Sequence, residues 1–251
     1  MPSTASSLWY VDASDPVAVL RDHPDPDPAA ALALARQLNP DLDVVPAASG
    51  TMKVWAGPDP GSMYIGCYPG VTVVCTTQAA VARPTLLPEL LVRPLASEHT
   101  YLISYDVAHG WGAFAHWERG EFRRSFSSTR VDILEDAGLP QVWERSYWAG
   151  EHPLRLLPGE FPDPQTLPFD PTEFADGANA EWLGFRYRGG DDDGALEADD
   201  VPVCGFSLFP KGQAPLPIRP EESEDEHGSG RWFGWLRGRN DHIHEDGVNA
   251  R

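Results

Sequence analysis

The sequence predicts an α+β fold, in which a mostly antiparallel sheet carries a few packing helices on one face. Apolar residues alternate with less apolar ones through 100–128, a pattern typical of successive antiparallel strands. A complete helix start stands at 169–174, and a further strand is indicated at 201–209. Because strands and helices alternate in the first hundred residues, an α/β arrangement of that region is the alternative.

The first elements follow from short local signals. Residues 7–12 are typical of a strand. Asp27 followed by Pro28 makes a favourable helix cap and first helical position, and Asn39-Pro40 ends that helix. Its expected buried face consists of Ala31, Leu34, Ala35 and Leu38.

A β-hairpin is predicted over 62–75. A two-residue turn at its centre places Cys67 opposite Thr72 and Cys75 opposite Tyr64. The two thiols then lie on opposite faces of the hairpin, so we expect no disulfide between them. Two short helical segments are expected after it.

Three strands form a predicted β-meander over 100–128. A two-residue turn between the second and third strands places Trp117 opposite Phe122 and Ala113 opposite Phe126. Large side chains then pack against large or small ones on one face, as cross-strand pairs do.

The most specific helix start lies beyond the meander. Asp170 is the expected cap, Pro171 takes the first turn, and Phe169 with Phe174 forms a hydrophobic staple. Gly184 is the expected end of this helix.

Composition sets the domain limits and excludes some partners. We expect residues 1–210 to form a single α+β domain and 211–251, Pro-rich and then acidic, to form a disordered tail. The net charge of −19 argues against nucleic-acid binding, which needs clustered basic residues. The bias toward Arg, Ala, Gly and Pro is typical of a GC-rich bacterial coding sequence. With no signal segment and no membrane span in the sequence, a cytoplasmic location is expected.

Several motifs together resemble an uncharacterised bacterial family that carries a domain-of-unknown-function label. They are Gly66-Cys-Tyr-Pro-Gly-Val71, Arg123-Arg-Ser-Phe-Ser-Ser128, Ile133-Leu-Glu-Asp-Ala-Gly138, Tyr147-Trp-Ala-Gly-Glu-His-Pro153, Leu167-Pro-Phe-Asp-Pro171 and Asp200-Val-Pro-Val-Cys-Gly-Phe206. The resemblance covers about residues 8–209. It implies a single domain and no particular activity.

The candidate ligand-binding residues are Arg124, Trp148, Glu151 and His152. In the register given above, Arg124 lies opposite Ala115 on the apolar face of the meander, where its guanidinium either meets an anionic ligand or a carboxylate, or reaches water at the rim. Glu151 beside His152, with Trp148 close by, is an acid/base pair, a ligand-stacking edge or simply a turn.

A second candidate is an aromatic and basic island in the tail, which predicts a partner-binding segment. Its residues are Arg231, Trp232, Phe233, Trp235 and Arg237. Phosphate loops, dinucleotide fingerprints, nucleophile elbows and zinc-ligand spacings are missing from the sequence, so no cofactor and no metal are predicted.

The missing catalytic motifs, the acidic surface and the tail island favour a non-enzymatic interaction or regulatory protein whose partner is another protein. The alternative is a small enzyme or sensor for a soluble metabolite, such as an anionic one, with Arg124 or His152 in an aromatic pocket.

Overall fold

A nine-stranded sheet, with every strand pair antiparallel, forms the frame of the protein. The structure is a computed structural model that describes residues 3–154, 163–189 and 195–215. The strands are Thr4–Val11 (β1), Leu42–Thr51 (β2), Ser62–Tyr68 (β3), Val71–Thr76 (β4), His99–Asp106 (β5), Trp111–Glu118 (β6), Glu121–Ser128 (β7), Ile133–Gly138 (β8) and Pro202–Pro210 (β9). Their order across the sheet is β2-β9-β3-β4-β1-β5-β6-β7-β8.

Helices pack on both faces of this sheet. They are Pro16–Asp22 (α1), Pro28–Leu38 (α2), Met52–Trp55 (α3), Glu89–Val92 (α4), Glu144–Trp148 (α5) and Pro171–Leu183 (α6). Helix α6 packs on β5 and β6, and α2 packs on β3 in a separate core cluster. The α+β prediction is confirmed, but the helices are not confined to one face.

The central strands explain this difference, because they are buried on both sides. Leu8 and Trp9 are consecutive residues on β1 and are both fully buried, and so are Leu102 and Ile103 on β5. Consecutive residues of a strand point to opposite faces. The sheet therefore needs a helical layer on each face. The alternation of apolar and less apolar residues in the sequence did not mark a solvent-exposed face of these strands.

The first hundred residues confirm the local predictions and not the α/β alternative. Strand β1 pairs antiparallel with both β4 and β5, so no parallel βαβ unit is present there. The hairpin of β3 and β4 has the predicted register, with Cys67 opposite Thr72 and Cys75 opposite Tyr64. Helix α2 is capped by Asp27 and buries the four expected residues.

Helix α6 begins and ends where the sequence predicts. The Asp170 side chain accepts a hydrogen bond from the Thr172 amide, and the rings of Phe169 and Phe174 lie 4.4 Å apart between centroids. Gly184 ends the helix with φ 75°, in the left-handed conformation that glycine adopts most easily.

The meander is confirmed, but its register changes within the hairpin of β6 and β7. Trp117 lies opposite Phe122 as predicted, and a β-bulge then shifts the pairing by one residue. Phe126 consequently pairs with Phe114 rather than with Ala113. A shift of one residue moves every later side chain to the other face, and this decides the position of Arg124.

Candidate functional site

Arg124 lies inside the protein, beneath α5, and is 1% exposed. The bulge pairs it with His116 instead of Ala115, which turns it toward the face covered by α5 and α6. It therefore shares a face with Phe126 but not with Trp117, which belongs to the other core. The predicted position of Arg124 in the sheet was wrong, because the sequence carries no signal for the bulge.

Two carboxylates of the chain bind the Arg124 guanidinium. Its Nε and Nη2 donate to the two oxygens of Glu144 over 2.9 and 2.7 Å, and its Nη1 donates to Asp136 over 2.5 Å. Nη1 also donates to the backbone carbonyls of Ser125 and Ala137. An anionic ligand would have to displace these internal acceptors, which are already well placed.

This network joins three elements of the fold. Arg124 is on β7, Asp136 is on β8, and Glu144 begins α5 and is itself fully buried. Burial acts to lower the pKa of Arg124, but hydrogen bonds and charges from Glu144 and Asp136 outweigh it and raise that pKa. The guanidinium thus stays charged and fixes both β8 and α5 to the meander.

Trp148 and His152 lie at the end of α5. Trp148 packs edge-on against Phe169, with centroids 5.0 Å apart, and remains 37% exposed. The His152 ring stacks on Tyr147 at 4.0 Å and its Nε2 lies 3.0 Å from the Ser146 hydroxyl.

Glu151 is exposed and its backbone amide donates to the Ser146 carbonyl. Within the described part of the chain no hydrogen bond or ion pair joins Glu151 to His152, so the predicted acid/base pair is not formed there. The tail candidates Arg231, Trp232, Phe233, Trp235 and Arg237 lie outside the described residues.

Exposed apolar side chains border β8 and α5, and we call this set the β8 rim. It consists of Val131, Ile133, Leu139, Val142 and Trp148. Leu139 is 85% exposed and Val142 is 82% exposed, although both are large aliphatic residues. Gly138 sets the path of the chain into Leu139, since its φ is +82° and a Cβ there would lie 2.1 Å from the Arg123 carbonyl oxygen.

Carboxylates line the same strand. Glu135 accepts hydrogen bonds from the amide and hydroxyl of Thr85 and from the Ser125 hydroxyl, and Asp136 binds Arg124. Asp132 is exposed just before β8. The β8 edge therefore combines apolar and acidic side chains.

A pair of histidines beside α5 was not singled out as a site by the sequence. His99 Nδ1 lies 3.1 Å from His116 Nε2, and Gln141 Nε2 lies 3.5 Å from His116 Nδ1. Burial, and then the neighbouring His99, lower the pKa of His116 to about 4. His116 is partly covered, because Trp182 of α6 packs over its ring.

Two kinds of site are not formed by the residues that the structure describes. Residues 3–154, 163–189 and 195–215 contain no group of three or more His, Cys, Asp or Glu side chains that could hold a metal ion. None of the helices in these ranges is long and apolar enough to cross a membrane.

The fold and the β8 rim define a class of protein: an α+β domain with one large antiparallel sheet, helices on both faces and an apolar, acidic edge. The profile of a family of unknown function, DUF6928, matches residues 5–206. The chain belongs to this family, which agrees with the resemblance found from its motifs. No curated protein matches the chain. No solved structure matches it.

Proposed function

We propose that this protein is a non-enzymatic interaction protein of the cytoplasm that binds an extended segment of another protein along β8. The observation that carries this proposal is the concentration of exposed apolar side chains in one stretch of the chain, which runs from just before β8 to the end of α5. Among the described residues nine large apolar side chains are exposed, and five of these form the β8 rim. Neighbouring apolar side chains left in water mark interaction surfaces more often than scattered ones do.

Strand β8 is suited to receive another strand. Among residues 3–154, 163–189 and 195–215 it lies at one end of the sheet and pairs with β7 alone. An end strand presents unpaired backbone N–H and C=O groups, which an extended peptide can pair with as an additional strand. The rim then supplies side-chain contacts next to the backbone hydrogen bonds.

The charge of β8 indicates the chemistry of the partner. Glu135 and Asp136 lie on the strand, Asp132 lies just before it, and the chain as a whole carries −19. A second copy paired antiparallel on β8 would bring like carboxylates together, which is unfavourable. A segment that alternates apolar with basic side chains instead matches the rim and the exposed carboxylate of Asp132.

The Arg124 network makes this surface rigid before binding. It ties β8 and the start of α5 to the sheet through Asp136 and Glu144. A surface that is already ordered loses less conformational entropy when a partner binds. The alternative, a sensor or enzyme for an anionic metabolite at Arg124, has less support because chain carboxylates occupy the guanidinium.

The test is a selection of displayed random peptides against the full-length protein. We expect enriched peptides to alternate apolar and basic residues, and to lose binding to the double variant Leu139→Ser, Val142→Ser by about tenfold or more, as when buried interface anchors are truncated. The matched control is Val54→Ser, which removes an apolar side chain that is 61% exposed on α3, far from β8 in the sheet order.

Isotope-edited NMR of a bound peptide should show new strand pairing at β8 amides. Peptides that bind the control and the double variant equally, or that bind as helices away from β8, would contradict the proposal. Dimerisation of the protein through β8, detected by light scattering, would replace the partner by a second copy.

A further inference from the structure

A cavity of about 480 Å³ lies beside the start of β1, the end of β5 and the start of β6. Its floor includes Thr4 and Ser6 of β1 and Trp111 of β6, and its walls include Pro58, Ala80 and Ala82. Ala80 and Ala82 are exposed, so the cavity is reached from the surface. Its volume is within the range of small-molecule sites.

The cavity forms where the layer that covers the sheet changes from a helix to a short turn. Trp111 packs in the core cluster that α2 covers. Thr4 and Ser6 lie on the same face of β1 as Leu8 and Tyr10, which belong to that cluster. Above the strands here lie a 3₁₀ turn, Thr77–Ala79, the segment after it, and Gly57-Pro58. A short turn fills less space than a helix.

One acidic group supplies the formal charge of the lining. Asp106 faces the cavity together with His109, and among the residues that the structure describes no Lys or Arg lines it. The Asp106 side chain accepts hydrogen bonds from the His109 amide over 3.2 Å and from the His109 ring over 2.7 Å. Burial acts to raise the pKa of Asp106, but these hydrogen bonds outweigh it and lower that pKa, so the carboxylate is charged at neutral pH.

Unused polar groups and an aromatic ring complete the lining. The hydroxyls of Thr4 and Thr77 and the indole N–H of Trp111 make no hydrogen bond to other residues in the part of the chain that the structure describes. The Trp111 ring is half-buried in the wall. An indole face and a carboxylate both attract a cationic group.

We propose that this cavity binds a small organic cation: a primary amine with an apolar body. The ammonium group lies against the Asp106 carboxylate and the Trp111 ring, and the apolar body lies among Pro58, Ala80 and Ala82. The net charge of −19 raises the local concentration of cations further. This site is independent of the β8 rim, so either proposal can fail without the other.

The experiment is a titration of the full-length, ¹⁵N-labelled protein with 2-phenylethylamine, followed by two-dimensional NMR. We expect saturable shifts of the His109 and Gly110 amides and of the Trp111 indole N–H. Neutral 2-phenylethanol and anionic phenylacetate have a similar shape and should bind about tenfold more weakly or not at all, because each lacks the charge-assisted hydrogen bond to Asp106.

Asp106→Asn removes the charge and keeps an oxygen that can accept the His109 amide, so the turn is expected to survive. It should weaken amine binding about tenfold. Glu121→Gln changes one exposed carboxylate at the opposite end of β6 and β7, and it should leave amine binding unchanged. Ala80→Phe fills the cavity from its exposed wall and should abolish binding even if Asp106→Asn fails to fold.

The proposal is overturned if the alcohol binds as tightly as the amine, if neither cavity variant weakens amine binding, or if millimolar amine produces no shifts at these positions.

Discussion

The two ends of the sheet differ in how they meet solvent. Strand β2, at one end, spans Leu42–Thr51, contains Pro46 and carries a register irregularity between Ala47 and Gly50. Helices α2 and α3 pack against it. Strand β8, at the other end, has no proline and is bordered by the exposed apolar β8 rim.

Proline and bulges are the usual means by which proteins prevent edge strands from pairing with other chains. The β2 end carries both, whereas the β8 end carries a bulge in its pairing with β7 but keeps its apolar border in water. Under the proposed function the β2 end is closed to partners and the β8 end is open to them, with Arg124 holding the open end in place.

The largest expected effect comes from removing the support of the open end. Arg124→Met leaves Glu144 buried without its cation, and we expect a loss of about 3–5 kcal/mol in the free energy of unfolding. The adjacent Arg123 is 47% exposed and pairs with Glu118 and Glu121 in water, so Arg123→Met should cost less than about 1 kcal/mol. Urea denaturation measures both, and equal losses would contradict the role given to Arg124.

A smaller effect is expected from the protonation of His116, beside α5. The unfolded chain takes up this proton below about pH 6.5, whereas burial holds the pKa in the folded protein at about 4. The stabilisation is therefore complete above pH 6.5 and is lost as the pH falls toward 4, by at most about 3 kcal/mol. Urea midpoints across this range should fall less in His116→Gln than in the wild type.

The junction of β8 with the rim gives the third prediction. Gly138→Ala puts a Cβ against the Arg123 carbonyl in addition to the strain of its positive φ, and we expect a loss of about 2 kcal/mol. Gly150 also has a positive φ, of 76°, but nothing lies within 4 Å of its added Cβ. Gly150→Ala should therefore cost only about 1 kcal/mol. Similar losses in thermal denaturation would show that the close approach at Gly138 is unimportant.

The smallest effect on stability is expected at the rim itself. Leu139→Ser and Val142→Ser should each change the free energy of unfolding by less than about 0.5 kcal/mol, because both side chains are already in water. A loss above 1 kcal/mol by urea denaturation would mean that these residues support the fold and would weaken the comparison between the two ends.

The sequence predicted best the elements that local chemistry specifies. The cap of α6 at Asp170 and the register of Cys67 with Thr72 depend on residues near in the chain, and both are confirmed. Strand β8 was missed, because Glu135 and Asp136 point to partners that only the folded chain brings close, Thr85 and Arg124. An edge strand whose carboxylates bind other residues does not show the alternation of apolar and polar residues that marks a half-buried strand.

The candidate site was predicted only in part. Trp148 and Arg124 were singled out as residue types, but the bulge that turns Arg124 inward has no signature in the turn Arg119-Gly120. The exposure of Leu139 depends on how α5 is tied to the sheet, and no local pattern reports that. Such a rim is recognised only when the tertiary contacts are known as well as the sequence.

Gln141 has a consequence for where a single hydrogen atom resides. Its Oε1 accepts from the indoles of Trp143 and Trp182, over 2.9 and 3.0 Å, so its amide cannot turn around without losing both. The amide nitrogen must then point at His116 Nδ1, which makes that atom an acceptor. His116 is thereby held as the Nε2–H tautomer and donates to His99, so two tryptophans decide which imidazole nitrogen carries the proton.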